Sequence, residues 1–402
     1  MRFAIANCTV IDGLGSPPRE GVTLTVNGDT IEAVVATNGP PAGEIEITYD
    51  GRGLTILPGL IDMHVHMCMD PASEQTPPDR VEFAVAMTLN AMANLRKALT
   101  SGITTVRDLG GGLGVPMLVK RAWQRGQVVG ARPLVAGSMI TAIGGHGVEM
   151  GFGLEVGGPD EAREAVRHEL SMGADVIKLV TYGVNMPGEL NLDKLRAAVE
   201  EAHSSGRKVA CHAHFSKASI ENTIVAGCDT LEHGSLLDDR LVDLMLERGT
   251  YYCPTIAVME NVAATEQYYG GPQSEFRRVV RENLGHSRAS VQLAHRKGVP
   301  IVAGTDAGTP GMEFDKLHDE LRCLVSLGMS PHEAIRCATG VAAEALGQPN
   351  LGRIAPRAKA DLIAVAGDPV ADLEVLRRPK AVFIDGRLLV GTLPLFKPDM
   401  EA

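Results

Sequence analysis

Nothing in this 402-residue chain approaches the roughly 18 consecutive apolar residues of a membrane span, so no membrane partner is expected. Blocks of Lys or Arg are missing too: 38 basic residues stand against 49 acidic ones, for a net charge of −11. Phosphate backbones are bound through a basic footprint, and nucleic acid is disfavoured as a partner. The seven cysteines are odd in number and show no CxxC spacing. That pattern fits reduced thiols in a cytoplasmic protein better than a disulfide framework. The opening MRFAIANCTVIDGLG has no basic start, no continuous apolar stretch and no small-residue cleavage site, so no secretory signal is expected. Low-complexity tracts and short-period repeats are absent as well. What remains is an ordinary globular composition, 45% hydrophobic and 22% charged.

Two grammars divide the chain. Residues 1–55 alternate apolar and polar positions in short runs (FAIANCTVI, VTLTVNG, TIEAVV, EIEITYDG) broken by Gly, Pro and Asn-Gly-Asp turns. From Leu57 onwards, apolar runs alternate with helix-length amphipathic segments, the pattern of βα units. Eight strands are expected, near 57–67, 103–109, 133–141, 175–181, 208–214, 229–234, 251–258 and 300–306. Eight such units make an α/β fold of the (β/α)8 TIM-type barrel kind, here residues 56–348. Short strands return in 349–402, and each β-rich end is too short for a comfortable core alone. The two ends, 1–55 and 349–402, are therefore expected to combine into one small β-sandwich. The segment 259–275, with Tyr268 and Tyr269, is expected to be a lid or interface loop.

The chemistry sits at the ends of the apolar runs. His64 and His66 close GLIDMHVHM, Lys178 lies in ADVIKLV, His212 and His214 in VACHAH, His233 in TLEHGS and Asp306 in IVAGTDAG. A strand projects residues i and i+2 to one face, so His64 and His66 point the same way; so do His212 and His214, and both could face inward. On the expected strand count these residues fall on strands one, four, five, six and eight. In a barrel of this type the C-terminal strand ends surround the active-site mouth. Imidazoles converging with a carboxylate hold zinc-like ions, which make water nucleophilic near neutral pH. A metal-dependent hydrolase is the implied class. The run GGGLG at 110–114 lacks the GK[ST] of a phosphate cradle, and the last-strand loop DAGTPG opens with an acid, against a phosphate-binding metabolic barrel.

These motifs resemble those of the amidohydrolase superfamily: PGLIDMHVH, IKL, HAH, EHGS and AGTD, with a tail ADLIAVAGDP and VFIDGR. GGHG at 144–147 and the order Lys178, His212, His233 look most like its prolidase-like branch, which acts on Xaa-Pro, Xaa-Arg or N-acyl amino acids. The resemblance implies two divalent metals of the zinc type, His64, His66 and Asp306 holding one ion, and His212 and His233 the other. Lys178 would bridge them after carboxylation by CO2, since a cationic ammonium is a poor neighbour for two dications. The resemblance also favours His212 over His214 as ligand, leaving His214 near the substrate.

The reaction implied is hydrolysis of an amide-type C–N bond in a small molecule, most simply a dipeptide or N-acyl amino acid. Asp306 is expected as general base and then general acid, and His146 as donor to the scissile carbonyl. For a substrate carboxylate the candidates are Tyr182, Tyr251, Tyr252, Arg277, Arg278 and Arg281, and no spacing selects among them. Hydrolysis of a carbamate, urea or cyclic amide, or ring deamination, stays open. So does a non-catalytic assembly role, although such relatives typically lose ligands that are all present here. A homo-oligomer is the expected assembly.

Overall fold

The computed structural model describes residues 1–36, 44–73, 79–181, 188–269, 271 and 274–396. Contacts divide the chain into two compact units: 1–61 with 98–105 and 330–402, and 62–97 with 106–329.

In the first unit, strands from both ends of the chain share one eight-stranded sheet. Leu362–Ala366 pairs antiparallel with Leu54–Pro58, and Leu54–Pro58 in turn runs parallel to Arg2–Val10. Arg2–Val10 also pairs with Arg19–Asn27, which pairs with Thr30–Ala36. Phe3 stacks on Phe383 with ring centroids 5.3 Å apart, and Ile5, Leu24, Ile56 and Leu362 join the same buried cluster. A core made by residues some 380 positions apart in sequence cannot form until both ends are present. The helix Pro331–Cys337 begins as its sequence dictates. Ser330 and Glu333 close a reciprocal capping box and Pro331 occupies the first turn, where its missing N–H costs nothing.

The second unit is α/β. Six strands lie in the order Gly153–Val156, Met139–Ala142, Val176–Val180, Lys208–Ala213, Thr230–His233 and Tyr251–Cys253, each pair parallel. A three-stranded sheet comprises Leu60–Val65, Ile103–Asp108 and Arg132–Val135. Asp175 N donates to Val135 O at 2.8 Å. At the other side Tyr252 N donates to Pro300 O, and Met63 N to Ala303 O, so segment 300–306 is bonded on both flanks. Helices separate the strands and stop where left-handed glycines permit. Pro159–Met172 ends at Gly173 (φ 107°) and Asp239–Arg248 at Gly249 (φ 69°).

Several expected elements differ in detail. The third strand is two, Arg132–Val135 and Met139–Ala142, interrupted at Gly137 with φ 81°. The seventh stops at Cys253, because Pro254 has no N–H to donate and Thr255 (φ 47°) turns the chain into the helix Ile256–Ala264. The eighth pairs only through bridges at Ile301 and Ala307. Between them Gly304 lies so close to the first strand that a Cβ would meet His64 Cβ at 2.8 Å and Cys253 Sγ at 2.5 Å. Much of the expected lid is helical: 259–264 belongs to Ile256–Ala264, and Glu275 opens Glu275–Lys297. Tyr269 is held there by Phe276 and by its bond to Pro310 O at 3.0 Å. All seven cysteines are free, and no helix among the described residues is long and apolar enough to cross a membrane.

Candidate active site

All the ligand-type residues singled out in the sequence meet at one cavity of about 630 Å³ in the second unit. Its wall includes His64, His66, Lys178, His212, His233 and Asp306, and also His146 and His214. The lining also includes the large apolar or aromatic side chains Phe83, Met150, Phe152, Val262, Tyr269 and Phe276. The strands bring these groups together by ending side by side.

Hydrogen bonds fix which nitrogen His64 and His66 offer. His64 Nδ1 lies 2.9 Å from Glu232 Oε2. Glu232 is an ionised acceptor, held well below the ordinary carboxylate range: burial works against its charge, but Arg107, His64 and Lys178 outweigh it. His64 must therefore donate through Nδ1, which leaves the Nε2 lone pair free. His66 Nδ1 faces the Gly110 carbonyl at 3.2 Å, with the same consequence. His233 Nδ1 is engaged by Thr255 Oγ1 at 2.7 Å. Burial, reinforced by nearby Lys178, pushes His64 down to about 4, and burial pushes His212 and His233 down as well. At neutral pH all three are the neutral, metal-ligating form.

The free atoms sit at ligand spacing. His66 Nε2 is 3.2 Å and His64 Nε2 3.4 Å from Asp306 Oδ1, a buried oxygen with no hydrogen-bond partner. Ligands bonded tetrahedrally to one ion at about 2.0–2.1 Å lie roughly 3.3–3.4 Å from one another. His64, His233 and Asp306 bring one ligating atom each within 4.8 Å. The His212 and His233 ring centroids are 4.5 Å apart. Lys178 Nζ approaches His64 Nε2 at 3.5 Å, and burial pushes its ammonium down against the pull of Glu232 and Asp306. The donor set thus fits divalent cations, with an orphaned carboxylate oxygen as the clearest sign. A second grouping, His64, Glu232 and Cys253, also lies within 4.8 Å, but there the carboxylate is already paired with a guanidinium and the thiol is kept protonated by burial.

Two ligand positions depend on strained backbone. Neighbours on a strand face opposite ways, yet Glu232 bonds His64 while the His233 ring lies 5.1 Å from the His64 ring. His233 achieves this with φ 71°. Asp306 does the same at φ 60°, next to Thr305, whose hydroxyl and N–H are both accepted by buried Asp62. A non-glycine residue in this region costs about 1–3 kcal/mol, a cost that surrounding structure must offset.

The support for these residues was not singled out in the sequence. Arg107, buried with Glu232, donates to Glu232 Oε1 at 2.7 Å, to Thr230 Oγ1 at 2.9 Å and to Met63 O at 2.5 Å. Its sequence signal was an Arg-Asp pair inside the apolar run ITTVRDLG. Asp108 accepts from Met67 N beside the His66 strand end. Glu320 accepts from Ile256 N and Ala257 N, at the helix start next to the Thr255 that holds His233.

His146 lies on the cavity wall with its ring 5.3 Å from that of His212, and its Nδ1 is 2.7 Å from Glu149. A ring that donates to Glu149 can donate to substrate as well only with both nitrogens protonated. His214 pairs through Nδ1 with the buried Ser235 hydroxyl. That hydroxyl has no other described partner, so it must donate, and the ring's proton resides on Nε2. Burial holds His214 neutral, down to about 3, and its Nε2 is buried without a partner.

The carboxylate candidates fare differently. Tyr252 is a correction: it is fully buried beneath the site, its hydroxyl spanning the carbonyls of His233 (2.9 Å) and Gly234 (3.1 Å). It shapes the strained His233 turn and does not line the cavity. Arg277 is buried with Nε on Val262 O, Arg278 pairs with Glu275 and Glu282, and Arg281 donates to Ala263 O. No arginine lines the described cavity wall, nor does Tyr251. Tyr182 lies outside the described residues.

Known proteins point the same way. Residues 55–389 match the model of the amidohydrolase family. The ochratoxinase of Aspergillus niger is 30% identical, the match covering 93% of this chain and 83% of that protein. A crystal structure of a Xaa-Pro dipeptidase with methionine bound in its active site is 31% identical, with TM-score 0.88 over 97% of this chain and 100% of the other. A prolidase complexed with N-methylphosphonate-L-proline is 27% identical, with TM-score 0.87 over 98% and 100%. Family match, relatives and fold together leave one reading: this chain belongs to the amidohydrolase family and is a hydrolase of C–N bonds.

Proposed function

We propose that the protein is a binuclear metal-dependent hydrolase that cleaves the amide bond of dipeptides or N-acyl amino acids carrying a bulky apolar group. One observation carries this reading. A cavity of about 630 Å³ is lined both by neutral imidazoles, an orphaned carboxylate and a buried lysine and by apolar side chains rich in Phe and Met. A hydrophobic side chain or acyl group suits the apolar lining, and the polar groups suit the bond to be cut. The bound methionine of the dipeptidase and the phosphonate-proline of the prolidase agree with substrates built from amino acids.

In this reading His64, His66 and Asp306 would hold one zinc ion and His212 and His233 the other, with Lys178, carboxylated, as the shared ligand. The ions would supply Lewis-acid activation of water and of the scissile carbonyl. Charge balance favours the carbamate. Asp306 and Glu232 offset Lys178 and Arg107 as the site stands, so dications would enter a neutral cluster. Carboxylation removes a positive charge, adds a negative one and leaves an excess of two negative charges. A lysine whose ammonium is destabilised by burial also presents the free amine that CO2 requires.

Asp306 takes the proton of the attacking water and returns it to the leaving nitrogen. His146, poised by Glu149, donates to the carbonyl oxygen, His214 Nε2–H donates to a further substrate oxygen, and Tyr182 is a further candidate for the leaving carboxylate. The same reading takes 56–348 as a closed (β/α)8 barrel and 1–55 with 349–402 as one composite β-sandwich, in a cytoplasmic protein.

The test is a substrate panel with zinc- and bicarbonate-loaded protein: Xaa-Pro dipeptides, N-acyl amino acids with small or aromatic acyl groups, carbamates, ureas, cyclic amides and aminopurines. Release of a free amino acid, faster for bulky apolar substrates, supports the reading. Release of ammonia from a ring, or no turnover by fully loaded protein, contradicts it.

A further inference from the structure

The helix Arg80–Thr100 has two working faces. One contributes Phe83, Met87 and Asn90 to the cavity wall. The other presents Glu82, Val85, Leu89, Met92 and Arg96, all exposed. The three apolar members are 54%, 61% and 40% exposed, and Val81 beside them is 72% exposed. Successive members are three, four, three and four residues apart, the repeat of a two-helix seam, whereas an isolated surface helix would place polar side chains there. Among the described residues neither the Glu82 nor the Arg96 side chain has a partner.

We propose that this face pairs with the same face of a second copy, the two helices antiparallel and the two-fold axis passing through Leu89. The charge pattern selects both occupant and direction. Leu89 lies midway between Glu82 and Arg96, so an antiparallel pair sets Leu89 against its own copy and each Glu82 against Arg96 of the partner subunit. A parallel pair would oppose like charges at both ends. The contact is isologous and closes at two subunits. From residue 82 to 96 the seam runs about 21 Å at 1.5 Å per residue. That is a modest footprint beside the roughly 800 Å² per partner of a standard interface, so the pair dissociates on dilution. Because the helix also walls the cavity, pairing would stiffen one side of the substrate site. This inference does not depend on which substrate is cleaved.

Sedimentation of the full-length protein across a broad concentration range tests it. Wild type should pass reversibly from dimer to monomer on dilution, and Leu89→Glu should be monomeric throughout with the melting temperature of the dilute, monomeric wild type. Glu82→Arg should weaken the dimer, and Glu82→Arg combined with Arg96→Glu should restore it. Under mild oxidation Leu89→Cys should cross-link to itself, since six of the seven native cysteines are buried and Cys323 is half-buried. A wild type that is monomeric throughout, or a dimer indifferent to Leu89→Glu, overturns the proposal. Failure of the charge swap to restore pairing overturns the antiparallel arrangement.

Discussion

Replacing Arg107 by methionine should separate the scaffold beneath the site from the site itself. The guanidinium and Glu232 are both buried and paired at 2.7 Å, and Glu232 in turn orients His64. Methionine fills much of the volume but leaves Glu232 without its cation. Breaking a buried pair from one side costs about 3–5 kcal/mol. With an unfolding entropy of about 2.1 cal/mol/K per residue over 402 residues, that cost lowers Tm by about 4–6 °C.

The sign with pH follows from linkage. In the wild type Glu232 is held below its unfolded value, so its contribution is present above the ordinary glutamate range and is lost only as pH falls through the depressed native value. Between pH 8 and 5.5 the wild-type pair therefore loses nothing. In Arg107→Met burial raises Glu232 above its unfolded value, so the native state takes up a proton as pH falls. The deficit against wild type should shrink between pH 8 and 5.5. Calorimetry at both pH values measures it, and adding Glu232→Gln should recover much of the loss at pH 8. Metal affinity should drop by about 10–100-fold as His64 loses its support. A Tm unchanged at pH 8, or a deficit that grows on acidification, would refute the reasoning.

Four further outcomes follow from the site. Asp306→Asn should retain much of its metal by elemental analysis while kcat falls about 10²–10⁴-fold, and His146→Asn should keep its metal and lose about 10²–10³ in kcat. Ser235→Ala removes the donor that fixes the His214 tautomer, so kcat/KM should fall, Ser235→Thr should restore it, and ¹⁵N NMR should show His214 protonated on Nε2 only when the hydroxyl is present. Glu320→Gln replaces one of two accepting oxygens by a donor, leaving a first-turn N–H of the helix Ile256–Ala264 unmet. Burial pushes the Glu320 carboxyl up to about 8, so denaturant unfolding above that pH, where the wild-type group is ionised, should show a loss of about 1–3 kcal/mol.

The cluster of candidate ligands was legible because each ends an apolar run, and a parallel strand that ends at a cavity delivers its last residues there. Their supports were not. Glu232 sits beside a ligand in TLEH, and strand alternation would send it to the opposite face; only the positive φ of His233 lets both reach the site, and no residue type announces that. Arg107 was a visible anomaly in an apolar strand, but its partner lay 125 positions away. Tyr252 was misplaced for a related reason. Both it and Tyr251 fit a strand end, and which face of Tyr251–Cys253 turns towards the cavity is settled by packing. The helical character of 256–264 was hidden behind Pro254, whose effect is to end one element without specifying the next.

The claim that Lys178 bridges two ions is tested most directly by counting metal per chain in wild type and Lys178→Ala, purified with zinc and bicarbonate. The account predicts two ions per chain in the wild type and one or fewer in the variant. A wild type that never exceeds one ion, or a variant that still holds two, would contradict it.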